Sequence, residues 1–267
     1  MEAEIPFLWP LLAGVFGLLI GSFLNVCIYR IPRDISVVAP RSFCTECGQK
    51  IAWYDNIPVL SFILLGGRCR SCGKRIGAQY PVVEIATAVL FACAVARYGT
   101  TLTGLKWIIF EALLIVLFAT DLQERILPDE LTIAGSVAGL ILASVVPVPG
   151  FIGQVLLPSA PLMAQSLMNA AAGACVLSIP IALIGFLYAK LRHRQGLGLG
   201  DVKLLVLAGI FLGVEKGVSA LLFAAVAGSV TGLLYIVIKR KNAATYELPF
   251  GSFICAAAAL LPLLKRA

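Results

Sequence analysis

Charge is scarce in this chain. Asp, Glu, Lys and Arg make up 13% of its 267 residues, against about 25% in an ordinary soluble domain. With 60% hydrophobic residues and a mean hydropathy of +0.97, the composition excludes a water-soluble globule and puts the chain in a bilayer. Motifs are missing too. There is no G-x-S-x-G, no H-E-x-x-H and no phosphate-binding loop, so serine hydrolase, zinc-protease and nucleotide hydrolase readings lack their parts. A Rossmann fingerprint is also absent. Histidine occurs once, and His193 stands among Lys190, Arg192, Arg194 and Gln195, where it reads as part of a basic anchor rather than a catalytic base.

What the chain does have is long apolar runs. Stretches near the ~20 residues needed to cross the hydrocarbon core lie at roughly 7 to 29, 81 to 97, 105 to 120, 130 to 148, 167 to 189, 200 to 214, 217 to 238 and 248 to 264. The expected fold is an all-α polytopic membrane protein of about eight transmembrane helices. A small cytosolic zinc-binding insert is expected between helices 1 and 2. The first run follows acidic Glu2 and Glu4 and is followed by Arg30-Ile31-Pro32-Arg33, neither of which suits a cleaved signal peptide, so it is expected to persist as a helix. Domains follow from this: residues 1–29 a first transmembrane helix, 30–80 the insert, and 81–267 a seven-helix membrane bundle.

Lys and Arg favour cytoplasmic loops. With residues 30 to 80 inside, eight spans leave only Arg97, Lys106, Lys216, Lys265 and Arg266 outside, and the other 16 of the 21 basic residues fall on the inner face. The net charge of +7 is therefore a topology signal, and no nucleic-acid partner is expected. The third span then ends at Asp121 on the inner face, and the sixth opens at Asp201 on the same face.

Ionisable groups in or beside a span are expensive and so are functional candidates by default. Two carboxyls at one lipid boundary outline an intramembrane aspartyl protease. Peptide hydrolysis needs a base to activate water and an acid to protonate the carbonyl oxygen and then the leaving amine. Carboxyls held close share one proton because like charges do not both ionise cheaply, which equips the pair for both roles. In Gly198-Leu199-Gly200-Asp201 the glycines strip side chains from the backbone beside the acid, so that a substrate strand can lie close, with Lys203 one residue beyond Val202. Asp129 also reads as a first-turn acid of the next helix. Glu111, deep in the third span near Lys106, reads as paired with an outer-side cation or a polar helix neighbour.

The polar insert holds Cys44-Thr45-Glu46-Cys47 and Cys69-Arg70-Ser71-Cys72, two C-x2-C knuckles separated by 21 residues. Four thiolates so spaced supply a closed tetrahedral Zn2+ site, and Gly48 and Gly73 ease the turn after each knuckle. Two disulfides are the alternative, disfavoured in a reducing cytosolic loop. An insert of this size buries little apolar area, so a structural metal would hold it folded. Cys27, Cys93, Cys175 and Cys255, one per apolar run, read as small packing hydrophobes.

Six motifs in order resemble the type IV prepilin peptidases: GSFLNVCIYRIP from Gly21, the four-cysteine insert with Trp53-Tyr54-Asp55-Asn56-Ile57-Pro58, Tyr80-Pro81-Val82-Val83-Glu84, the Asp121 to Asp129 stretch, GLGLGDVKLL from Gly196, and Leu248-Pro249-Phe250-Gly251. The resemblance implies that Asp121 and Asp201 are catalytic. It implies prepilin or pseudopilin substrates with a short basic leader ending in glycine, cut at the cytosolic face of the bacterial inner membrane. It also implies methylation of the freed N-terminal amine from S-adenosylmethionine, with the insert associated with that activity and Arg30 and Glu84 as methyl-donor candidates. Two other readings stand beside it. One is a GxGD intramembrane protease without methylation, whose acids would lie deeper and which leaves the cysteine insert unexplained. The other is an ion or metal transporter, for which the chain shows no convincing internal repeat.

Overall fold

The structure, a computed structural model, describes residues 7–192, 198–239 and 248–264. The expected basic-anchor residues His193, Arg194 and Gln195, the first two residues of the GLGLGDVKLL motif, and Glu2, Glu4, Arg240, Lys241, Lys265 and Arg266 lie outside the described residues. Among the described residues every regular element is helical. They are α1 (Leu8–Arg30), α2 (Leu60–Leu64), α3 (Gln79–Tyr98), α4 (Leu102–Glu124), α5 (Asp129–Ala143), α6 (Phe151–Leu156), α7 (Leu162–Arg192), α8 (Leu199–Lys239) and α9 (Phe250–Leu260). Five are long and apolar enough to cross a membrane: α1, α3, α4, α7 and α8.

The eight apolar runs of the sequence each fall on a helix, with one difference at the end of the third. The runs at 200 to 214 and 217 to 238 are two helical stretches, as expected, that meet at the non-helical Gly213 within α8. Gly213 has φ 72° and ψ −175°, and a Cβ there would stand 3.2 Å from the Pro149 carbonyl oxygen. Only glycine takes that backbone without strain. The third run extends past its expected end, because nothing stops α4 until Arg125 turns to φ 59° and Pro128 takes an extended backbone. Asp121, where the span was expected to end, therefore sits in the last turn of α4.

The chain divides into two compact units, Met1–Val116 and Leu117–Ala267. In the first, α1 crosses α3 at backbone range: a Cβ at Gly17 would lie 2.7 Å from Ala88 Cα, and one at Gly21 2.7 Å from Glu84 Cα. Small residues at such a crossing replace the hydrophobic drive that lipid cannot supply. A leucine at either position would push the helices apart.

In the second unit α7 and α8 pack through Gly173 and Gly209, whose missing side chains let the two backbones touch. Gly139 of α5 lies flat under the buried Phe211 ring of α8. The stretch before α7, which carries no sequence motif, is organised by Asn169. Its Nδ2 donates to the Val148 and Gly150 carbonyls at 3.0 and 3.2 Å, and its Oδ1 accepts from the Gly153 N–H of α6 at 2.6 Å. An amide in the apolar core thus satisfies otherwise stranded loop backbone.

Candidate active site and metal centre

Three segments of the second unit bring the two acids together. Asp121 rides the last turn of α4 and is 6% exposed. Asp201 is the third residue of α8, half-buried, with its N–H turned back to the Gly198 carbonyl at 3.2 Å. The two carboxyl groups lie within electrostatic reach of one another, and the buried Cys255 thiol of α9 lies within reach of both.

A third participant was not expected from the sequence. The start of α9 meets Asp121 head-on: the Ser252 N–H and the Ser252 hydroxyl each stand 2.6 Å from Asp121 Oδ2. Gly251 makes this possible, since a Cβ there would sit 3.1 Å from both Asp121 Cγ and Leu127 Cδ1. Leu127, between α4 and α5, also packs against Gly200, where a Cβ would be 3.1 Å from its own Cβ. Leu127 is a wedge touching the starts of α8 and α9. The signal in the sequence was Leu248-Pro249-Phe250-Gly251, a proline and glycine at a helix start, but nothing local says that this turn reaches residue 121.

The two glycines before Asp201 therefore differ. Gly200 is filled by Leu127, whereas around Gly198, which is exposed, the nearest atom to a would-be Cβ is Asp201 Oδ2 at 3.8 Å. Among the described residues, open backbone beside the acid is found at Gly198. Lys203 is engaged: its Nζ stands 2.7 Å from both carboxylate oxygens of Asp129, the first residue of α5. Both side chains are substantially exposed, so the pair is a surface bridge of small worth, about 0 to 1 kcal/mol. Glu111 is buried, and neither of its oxygens has a hydrogen-bond partner, which differs from the expected pairing. Lys106 Nζ stands over the Trp107 ring, 5.3 Å from its centroid.

In the first unit the four insert cysteines converge, with all Sγ atoms within 4.8 Å of one another. The knuckles are copies in geometry. Cys44 N–H donates to the Gln49 carbonyl and Gly48 N–H to the Cys44 carbonyl; Cys69 with Lys74, and Gly73 with Cys69, repeat the pattern at 2.8 to 2.9 Å. Gly48 and Gly73 have φ 71° and 69°, a turn closed without strain. All eight cysteines of the chain are free thiols, and Cys44 Sγ lies 4.0 Å from Cys72 Sγ. A ZnS4 tetrahedron with ~2.3 Å bonds has edges of about 3.8 Å, so the set fits zinc.

The thiols also show why a dication suits them. The Cys72 and Ser71 backbone N–H groups bring the Cys69 thiol down to about 7. Although the Lys74 N–H favours the Cys72 thiolate, burial and the neighbouring sulfurs carry that thiol up to about 11. Thiolates crowded so closely ionise together only around a cation. The insert is further stapled by a bidentate pair, Arg70 to Asp55 at 2.7 and 2.8 Å, and this hydrogen bonding holds the Asp55 carboxyl below its usual range.

A cleft of about 540 Å3 opens beside the knuckles, lined among others by Asn25, Arg30, Cys44, Tyr54, Tyr80 and Glu84. Both expected donor-site residues line it, and both already have partners. Arg30, 3% exposed, turns its guanidinium to the Ser36, Pro40 and Arg41 carbonyls at 2.9, 2.8 and 3.5 Å. That makes it a clamp on the segment entering the first knuckle. Glu84 accepts from the Val59 N–H at 2.7 Å. Val59 has φ 60°, a backbone that a β-branched residue adopts only when held there. Of the remaining cysteines, Cys27 and Cys255 are buried and Cys93 and Cys175 exposed.

Comparison with known proteins divides the chain in the same order. The family model described as Bacterial Peptidase A24 N-terminal domain matches residues 15–98, and that of the Type IV leader peptidase family matches residues 108–233. A Myxococcus xanthus protein named prepilin leader peptidase/N-methyltransferase is 38% identical over 223 residues, 84% of this chain and 62% of that relative. Proteins of the same name from Klebsiella pneumoniae and Bacillus subtilis are 36% and 32% identical, over 83% and 92% of this chain and 93% and 90% of their own lengths. No solved structure matches.

Proposed function

Since the chain belongs to the type IV leader peptidase family, we propose that it removes the short basic leader of type IV prepilins or pseudopilins and then N-methylates the new N-terminal residue. Asp121 and Asp201 carry the cleavage. The observation that supports this most is that two carboxyls from separate helix ends, flanked by open backbone at Gly198, lie within electrostatic reach at the edge of apolar helices. One carboxylate takes a proton from water as that water attacks the scissile carbonyl. The other, protonated, gives its proton to the carbonyl oxygen, and the pair then protonates the departing amine. A strand of substrate lying along Gly198 brings its carbonyl to the pair without meeting a side chain.

The charge bias of the loops supports a cytosolic position for this site, at the inner face of the bacterial cytoplasmic membrane. There the basic leader stays among anionic headgroups while the pilin helix stays in lipid.

Methylation belongs to the insert and its cleft. Cys44, Cys47, Cys69 and Cys72 hold a structural Zn2+ that fixes the cleft wall. S-adenosylmethionine, when bound, supplies a sulfonium methyl group. A carboxylate offers about four acceptor positions, and Glu84 uses one on Val59, leaving others for an amine or sulfonium. Arg30 shapes the cleft by gripping the loop carbonyls. A protease without methylation leaves the knuckles and the cleft without a use, so the bifunctional reading is preferred.

The test is direct. Purified protein is incubated with a prepilin and labelled methyl donor, and the product N-terminus is weighed. A mature chain carrying one methyl group supports the reading, an uncut precursor overturns the peptidase half, and a cut but unmethylated product overturns the methyltransferase half.

A further inference from the structure

Two identical side chains make up the acid pair, but their surroundings are unequal. Asp121 Oδ2 faces the first turn of an 11-residue helix and lies 2.6 Å from both the Ser252 N–H and the Ser252 hydroxyl. A backbone N–H only donates, so this oxygen is an acceptor. The hydroxyl has a second neighbour, the Phe118 carbonyl at 3.2 Å, which only accepts. Three proton arrangements are open to the group. In one, Asp121 is anionic and receives both Ser252 protons. In another, Asp121 is neutral and donates to Ser252 Oγ, which donates onward to Phe118. In the third, a neutral Asp121 carries its proton on Oδ1 and still accepts both Ser252 protons at Oδ2 in weaker, longer bonds.

The distances favour the first. The 2.6 Å contact from the Ser252 hydroxyl lies in the range of charge-assisted O–H donation to a carboxylate, shorter than a neutral hydroxyl bond, and the contact to Phe118 is the longer one. The orientation agrees, since the start of a helix carries partial positive charge that stabilises an anion set against its first N–H groups. Asp201 also lies at a helix start, but its own backbone N–H turns back to the Gly198 carbonyl.

We propose that Ser252 is a positioning residue that makes Asp121 the charged member of the pair, leaving Asp201 to carry the shared proton. The inference rests on the dyad reading above and assigns its roles. Asp121 is the base: as the water O–H bond breaks, its proton passes to Asp121 while the water oxygen bonds to the scissile carbon. Asp201 is the acid, and its proton passes to the carbonyl oxygen that receives the displaced electron pair. Ser252 acts through Asp121 rather than on the reacting atoms. It holds Asp121 Oδ2, so that Oδ1 is the oxygen left for the water.

Carbon-13 in the side-chain carboxyls of aspartate reports protonation directly, and the chain has only five aspartates. In the active wild-type protein, with signals assigned from Asp121→Asn and Asp201→Asn, Asp121 should resonate as a carboxylate and Asp201 as a carboxylic acid. The reverse assignment, two carboxylates, or two averaged signals would overturn the proposal. Kinetics give an independent arm. Ser252→Ala keeps the N–H and helix propensity but removes the hydroxyl, and a hydrogen bond to a charged group is worth roughly a 10- to 100-fold effect. The kcat for leader cleavage should fall by about that factor with KM unchanged, and the Asp121 signal should move. An unchanged kcat with an unmoved signal would overturn the role of Ser252. Failure of the dyad itself reads out differently, as continued cleavage by Asp121→Asn or Asp201→Asn.

Discussion

The two units assemble their candidate chemistry in opposite ways. In the first, each half of the metal centre lies within one short knuckle, and the turn glycine, the paired backbone bonds and the two sulfurs are all local. In the second, nothing is local: Asp121 meets Ser252 across 131 positions, and Leu127 fills the space left by Gly200 and Gly251. A locally built site needs a metal to hold it, because so short a loop buries little. A site built from helix ends is held by the packing of the helices themselves and needs none. The first should therefore fail on chelation and the second on changes of a single atom at a helix crossing.

The strongest break in that contrast is at the acids. Asp121→Asn and Asp201→Asn each keep the side-chain shape and should lower leader cleavage by at least about 1000-fold. Methylation of a synthetic peptide that already bears the mature N-terminus should stay within a few-fold in the same proteins, measured by label transfer. Next in size is the metal. Cys44→Ser, or a strong chelator, should release zinc and expose residues 30–80 to limited proteolysis. Methylation should drop by about 10-fold or more, because the fold of the insert depends on the metal, while cleavage changes less. Equal loss of both activities in a stable protein would mean that the insert serves the whole molecule.

Sharper but smaller is Gly251→Ala. The new Cβ would be 3.1 Å from both Asp121 Cγ and Leu127 Cδ1, so the carboxyl must shift by a few tenths of an ångström. Misplacement of about 1 Å is worth roughly 100-fold, so about a 10-fold fall in cleavage is expected, with methylation untouched. Smallest is Asp129→Asn, which removes the partner of Lys203. That bridge is exposed and contributes about 0 to 1 kcal/mol, so cleavage should change by less than about 3-fold and still less at high salt.

Much of this was legible in the chain because the physics was local. The apolar runs marked the helices, since crossing lipid requires unbroken hydrophobic length. The C-x2-C spacing marked the knuckles, since two sulfurs on one turn can share a metal. Asp121 and Asp201 stood out because acids beside lipid are costly. The rest lay in contacts between helices. Residue type alone does not say that Ser252 faces Asp121, that Gly200 is filled and Gly198 open, or that Asn169 gathers the loop carbonyls before α7. Arg30 shows the same gap from the other side. The family resemblance offers it as a methyl-donor candidate, and only the folded chain reveals three carbonyls around it.

The most direct measurement is leader removal from a purified prepilin by the Asp201→Asn protein in lipid, scored by the mass of the pilin N-terminus, beside methylation of a pre-cleaved peptide by the same sample. The account predicts an intact leader alongside a methylated peptide. A pilin trimmed at its normal site by that variant would contradict it.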